Sequence, residues 1–156
     1  MADEALDEFE KRILRALQRD GRLSTQELAE EVGLSASPCW RRVKALEQRG
    51  YIRRYAALLD EVKLGVGQTV FAHVTLVKHD REGMADFERM AAARPEVMEC
   101  YSMTGQADYI LKVAVADVQA YERFLQEAVF RLPAVSHVHS NFALRPVKYE
   151  VAYPVA

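Results

Sequence analysis

On a helical wheel of about 100° per residue, Ser37, Arg41, Lys44 and Gln48 share one side of a single helix, and Cys39, Val43 and Leu46 share the other. The first set offers hydroxyl, guanidinium, ammonium and carboxamide groups; the second can only pack. Hydroxyls and carboxamides suit the donors and acceptors on base edges, and the cations suit both guanine edges and phosphates. The surrounding segment is basic. From Ser35 to Tyr55 six bases (Arg41, Arg42, Lys44, Arg49, Arg53, Arg54) stand against one acid, Glu47, a local charge of +5 in a chain of formal net charge −2. Binding to a polyanion depends on the charge that faces it, so this stripe counts for more than the acidic total. The candidate DNA contacts are Ser35, Ser37, Pro38, Trp40, Arg41, Arg42, Lys44 and Arg54. Arg42 lies toward the core edge, where it either bridges helices or meets a phosphate. Trp40 either covers the core edge, which suits it better, or presses on the sugar–phosphate backbone.

A surface helix often shows Arg and Lys, so the case depends on the elements that position this face. Leu6, Phe9, Ile13, Leu14 and Leu17 recur at helical spacing until Asp20-Gly21. Ser24-Thr25-Gln26-Glu27 has the S-x-x-E form of a capping box and starts a second helix, whose buried side is Leu28, Ala29 and Val32. Gly33 suits the left-handed turn that ends it. Ser35 is placed to N-cap the third helix, with Pro38 still in the first turn, and that helix ends near Arg49-Gly50. Two helices joined by a Gly-containing turn after a supporting first helix make a helix-turn-helix. Tyr51 to Asp60 reads as a strand or hinge. The domains expected are 1–51 for the helix-turn-helix, 52–67 for the hinge and linker, with Leu64-Gly65-Val66-Gly67 as the boundary, and 68–156 for a second domain.

The pattern changes in that second domain. Gln68 to Lys78 alternates as a strand, Arg81 to Arg94 is helical, and Val97 to Thr104 and Tyr109 to Ala116 are strands around a short turn. Asp117 caps a second helix that ends before Pro133, and Val135 to about Leu144 is a last strand, with Val138, Phe142 and Leu144 on one face and His137, His139 and Asn141 on the other. The order β-α-β-β-α-β is the ferredoxin-like one, and the fold class is α+β. His137-Val138-His139 projects two imidazoles to one side of a strand, but two ligands are too few for a site and no CxxC or carboxylate cluster joins them, so no metal is expected.

Composition closes off several classes. Half of the residues are hydrophobic, enough for a core in each domain, but no apolar run approaches the ~20 residues of a membrane span. Met1-Ala2-Asp3-Glu4 is acidic and leads into a helix, unlike a signal peptide. Cys39 and Cys100 are far apart in patterned segments, which suits reduced thiols in the cytoplasm. No nucleophile elbow, P-loop or dinucleotide fingerprint is present, so an enzyme is not expected. A winged helix that binds protein is the other rival, but interface cores are poor in Lys, unlike this third helix.

The whole chain resembles the Lrp/AsnC, or feast/famine, family of regulators. The resemblance is carried by Leu6-Asp7, Ile13-Leu14, Leu17 to Arg22, Glu27-Leu28-Ala29, Val32 to Ser35, Pro38 to Val43 and Leu46-Glu47, and then by Pro95-Glu96-Val97, Thr104 to Tyr109, Leu132 to Val135 and Val147-Lys148. Ala134 stands where the family often has Gly, and Gln106 where an acid is common. The resemblance implies a winged helix-turn-helix joined by a hinge strand to a ferredoxin-like RAM domain. It implies RAM dimers that associate further, into octamers or similar rings, and a free amino acid bound where dimers meet. The implied effector residues are Met103, Thr104, Gly105, Gln106, Ala107 and Asp108, with Ser136 and Ser140 from the last strand. Backbone groups and an Asp suit a zwitterion, and Gly105 permits close approach; the same composition also makes an ordinary hairpin turn. The function implied is a cytoplasmic, amino-acid-modulated regulator bound to operator duplex DNA, needing no cofactor; the alternative is an architectural DNA-binding regulator without an effector.

Overall fold

The computed structural model describes residues 5–77 and 81–156. They form two compact units, one running to Leu58 and taking in Lys148–Ala156, the other spanning Leu59–Val147. The division differs from the sequence boundary at Leu64–Gly67. The last residues return to the first unit because side chains of its first helix bond to their backbone.

The first unit contains α1 (Glu8–Arg19), α2 (Thr25–Val32) and α3 (Ala36–Gln48). Two capping boxes start the first two helices. Asp7 Oδ1 accepts from the Glu10 amide at 2.8 Å and Glu10 Oε2 from the Asp7 amide at 3.0 Å; Ser24 and Glu27 repeat the exchange at 3.2 and 2.8 Å. Gly33 ends α2 at φ +76°, a conformation that costs a side chain its Cβ clearance. Ile13, Ala16, Leu28, Ala29, Val32, Cys39 and Leu46 form the buried core. The bond from the Glu10 amide, reinforced by the Arg42 guanidinium, holds the Asp7 carboxyl below the usual carboxylate range. A depressed carboxylate pKa stabilises the folded state above the unfolded value and loses that contribution as pH falls through the folded one. Asp7→Asn, which keeps a capping oxygen but loses the charge facing Arg42, is therefore expected to lower the neutral plateau of a stability–pH curve while leaving its acid end little changed, so that the acid limb flattens.

Residues 52–60 belong to no helix or strand, and Tyr55, Leu58 and Leu59 are exposed. No strand forms along this segment in the single chain.

In the second unit β1 (Gln68–Leu76), α4 (Arg81–Ala93), β2 (Val97–Ser102), β3 (Tyr109–Val115), α5 (Val118–Phe124) and β4 (Val135–Phe142) follow in order. The sheet runs β2-β3-β1-β4, every pair antiparallel, which is the ferredoxin-like arrangement. Lys78, expected to end the first strand, lies outside the described residues. One sheet face, with Val70, Ala72, Val74, Leu111 and Val113 buried, meets Phe87 and Ala91 of α4 and Tyr121 and Phe124 of α5. After Phe124 the helix widens for one turn, the Phe130 amide reaching Leu125 O at 2.8 Å; sequence periodicity does not reveal that widening. Tyr109 donates to Glu88 at 2.8 Å, and burial together with that carboxylate pushes its phenol up to about 12.

His73 pairs with His139 across the strands, His137 stands opposite Thr75 and Asn141 opposite Phe71. These positions alternate with the core face, as the sequence requires of His137, His139 and Asn141. Among the described residues no group of three His, Cys, Asp or Glu is placed to hold a metal ion. Leu144, expected on the apolar face of the last strand, lies past its end and is exposed.

Candidate nucleic-acid interface and the β2–β3 turn

The outer face of α3 is built as the wheel requires. Cys39 and Leu46 are fully buried, and their burial turns Ser37, Trp40, Arg41, Lys44 and Gln48 outward. Ser35 occupies the N-cap with extended backbone, but its side chain makes no capping bond, contrary to the usual role of that position. With Pro38 lacking an N–H, the amides of Ala36 and Ser37 and the hydroxyls of Ser35 and Ser37 are the donors at this positive end of the helix dipole, a setting that favours phosphate. A shallow groove of about 410 Å³ is lined by Ala36, Ser37, Trp40 and Arg41 and by Thr25 at the start of α2. Thr25 was not singled out from sequence, because its type signals only a helix start.

Trp40 is 52 % exposed, so the core-edge reading is corrected: its indole is a wall of the groove. Arg42 takes the bridging role. It pairs with the Asp7 carboxylate at the start of α1 and lies over the Phe9 ring at 5.5 Å, which removes it from the group of uncommitted cations. Arg49 is likewise committed, to Glu10 at 2.7 Å and over the Tyr51 ring at 4.8 Å. Lys44 pairs with Glu47 at 2.7 Å, one turn along its own helix, a surface pair that a phosphate can displace. Arg41, Arg53 and Arg54 are exposed and have no carboxylate partner among the described residues. Half of the basic stripe is thus directed inward or along the surface, and half is presented.

In the second unit Met103 to Gln106 are exposed and Ala107 and Asp108 half-buried. Gly105 sits at φ +121°, where a Cβ would be strained. The turn is pinned to β1: the Met103 amide reaches Asp108 O at 2.8 Å, and the Asp108 amide reaches Val74 O at 2.9 Å. The Asp108 carboxylate accepts from the Leu76 amide at 2.7 Å. Leu76 lies beyond the Val74–Tyr109 pair at which β3 begins, so its amide has no strand partner on that side and the carboxylate supplies one. Asp108 therefore braces the turn. Asp108→Ala leaves the buried Leu76 amide without this acceptor and is expected to cost about 1–3 kcal/mol in denaturant unfolding, whereas Asp108→Asn retains most of the stability. Equal, small losses for both would remove the bracing role. Ser136 is exposed at the same end of the sheet, where β4 meets Thr75 and Leu76. Ser140 is apart from it: it pairs with Ala72 in mid-strand, and its hydroxyl is bonded to Tyr121 Oη at 2.6 Å.

Residues 6–53 match a family model described as winged helix-turn-helix DNA-binding, and residues 69–153 match the Lrp/AsnC ligand binding domain. The Bkd operon transcriptional regulator of Pseudomonas aeruginosa is 45 % identical over 150 residues, covering 96 % of this chain and 98 % of that protein. Among solved structures, a Neisseria meningitidis transcriptional regulator in complex with L-methionine is 35 % identical with a TM-score of 0.91, covering 96 % of this chain and 97 % of that one. A feast or famine regulatory protein from M. tuberculosis, also complexed with L-methionine, is 30 % identical with a TM-score of 0.85, covering 97 % and 100 %.

Proposed function

Because the chain belongs to the Lrp/AsnC family of DNA-binding transcription regulators, we propose that it binds operator DNA through the outer face of α3 as a dimer or larger assembly, and that an amino acid held at the β2–β3 turn modulates that binding. The observation that carries the reading is the groove of Thr25, Ala36, Ser37, Trp40 and Arg41. It joins a bidentate guanidinium, hydroxyl and amide donors and an exposed aromatic at one end of α3; Arg53 and Arg54, which follow the other end in sequence, are exposed as well. In this proposal Arg41 reads a base edge, Ser35 and Ser37 hold a phosphate, Trp40 packs on the sugar–phosphate backbone, and Lys44 and Arg54 neutralise flanking phosphates. Two copies related by a two-fold axis present two such faces to a symmetric operator. Among the described residues no helix is long and apolar enough to cross a membrane, and we place the chain in the cytoplasm with its DNA.

For the effector, the relatives solved with L-methionine and the braced, exposed Met103–Asp108 turn support an amino acid. Its ammonium and carboxylate meet backbone groups of Thr104 to Ala107, with Ser136 at the same sheet end; Asp108 shapes the turn. Ser140, already bonded to Tyr121, takes no part in this arrangement. No catalytic role is assigned. The test is duplex binding to a selected operator across a salt series, with each of the common amino acids added in turn and thermal shift run in parallel. Binding that weakens steeply with salt, and changes with an amino acid that also raises the melting temperature, supports both parts. Salt-insensitive binding overturns the first part, and the absence of any effector favours the architectural alternative.

A further inference from the structure

The outer face of α1 holds a segment without regular secondary structure, the chain's own residues 150–156, through Tyr153 and Val155. Gln18 pairs its carboxamide with both backbone groups of Tyr153: the Tyr153 amide donates to Gln18 Oε1 at 2.6 Å, and Gln18 Nε2 donates to Tyr153 O at 3.0 Å. One turn earlier Arg15 donates twice to Val155 O, from Nε at 3.2 Å and Nη2 at 2.9 Å. Arg15 and Gln18 are three apart and so neighbours on one helix face; Tyr153 and Val155 are two apart, and both of their carbonyls face that side of α1. The two spacings match, and all four bonds go to backbone atoms. Arg15, Gln18, Arg19 and Leu58 line a groove of about 710 Å³ around the segment.

We infer that this contact is a strap that limits the freedom of the DNA-binding unit. The chain leaves that unit at Leu58 and re-enters it at Lys148, so while the strap is seated the unit is held by two covalent crossings; once it is released, only the crossing after Leu58 remains. The consequence rests on the dimeric DNA-binding reading above. Two heads on short, restrained attachments have a high effective concentration for half-sites at one separation and a low one elsewhere, whereas loosely attached heads tolerate many separations. The strap therefore sets how strictly the protein measures half-site spacing.

The test uses the full-length chain, wild type and the double variant Arg15→Ala/Gln18→Ala, with an operator obtained by selection on the wild type. Hydrogen exchange reports the strap directly, because the Tyr153 amide loses its acceptor in the variant and should exchange faster. Duplex binding is then measured on the selected operator, on one half-site, and on operators with 2, 5 and 10 base pairs inserted. The expected result is unchanged affinity for one half-site and a spacing penalty at least about fivefold smaller in the variant. Faster exchange at Tyr153 with the wild-type spacing profile would overturn the inference, and so would exchange that does not change at all. Failure of the DNA-binding reading is a separate outcome, because it leaves the wild type without salt-dependent duplex binding while the exchange experiment still reports the strap.

Discussion

Arg41→Ala is expected to lower affinity for the selected operator by about 5- to 150-fold, the ~1–3 kcal/mol carried by one bidentate base contact, and to relax preference at one base pair. Arg41 is the cation of α3 with no carboxylate partner among the described residues, and it lines the groove with Ser37 and Trp40, so its loss removes a contact without disturbing an internal pair. Arg54→Ala is the matched control. A phosphate contact weakens binding to all sequences alike and lowers the salt slope by about one. Equilibrium binding to operator and random duplex at several salt concentrations separates the two behaviours. An Arg41→Ala protein that keeps the wild-type ratio of operator to random binding would show that Arg41 reads no base.

Arg49→Ala is expected to act on stability and not on recognition, although Arg49 belongs to the same basic stripe. Its guanidinium meets Glu10, whose side chain is only 10 % exposed, and stacks on Tyr51. Removing it leaves a nearly buried carboxylate with the Asp7 amide as its remaining named partner. Breaking a fully buried pair from one side costs about 3–5 kcal/mol; Arg49 is itself a quarter exposed, so about 2–4 kcal/mol is expected here. Denaturant unfolding followed by the fluorescence of Trp40, the chain's one tryptophan, reads this unit selectively. Glu10→Gln in the Arg49→Ala background should recover part of the loss, because a neutral carboxamide is cheaper to bury than an unpaired charge. Absence of recovery, or an operator affinity that falls in the folded variant, would contradict the assignment.

These two arginines mark where sequence reasoning stops. Ser24-x-x-Glu27, Gly33 and the spacing of Ile13, Leu28, Val32, Cys39 and Leu46 are local signals, since a cap bond spans three residues and a helical face repeats every turn. They determined the helix-turn-helix and which side of α3 faces out. Alternation along 68–76, 109–115 and 135–142 determined the strands in the same way, and their order determined the ferredoxin-like sheet. The turn at Met103–Asp108 was equally legible, because Gly105 and the flanking strands declare it.

Which cation is presented and which is committed depended on partners distant in the chain: Arg42 found Asp7 and Arg49 found Glu10, and no periodicity reports such a pair. The exposure of Trp40 followed from how α2 and α3 leave the groove beside Thr25 open. Asp108 became a brace because β3 begins one residue later and leaves the Leu76 amide unpaired, and Ser140 turned toward Tyr121 by its register on β1. The return of residues 148–156 to α1 was decided by backbone bonds to Gln18 and Arg15, which leave no mark on side-chain pattern. Elements and faces are set by neighbours within one or two turns and can be read residue by residue; pairing waits for the fold, because a charge or an amide takes whatever partner is brought within about 3 Å.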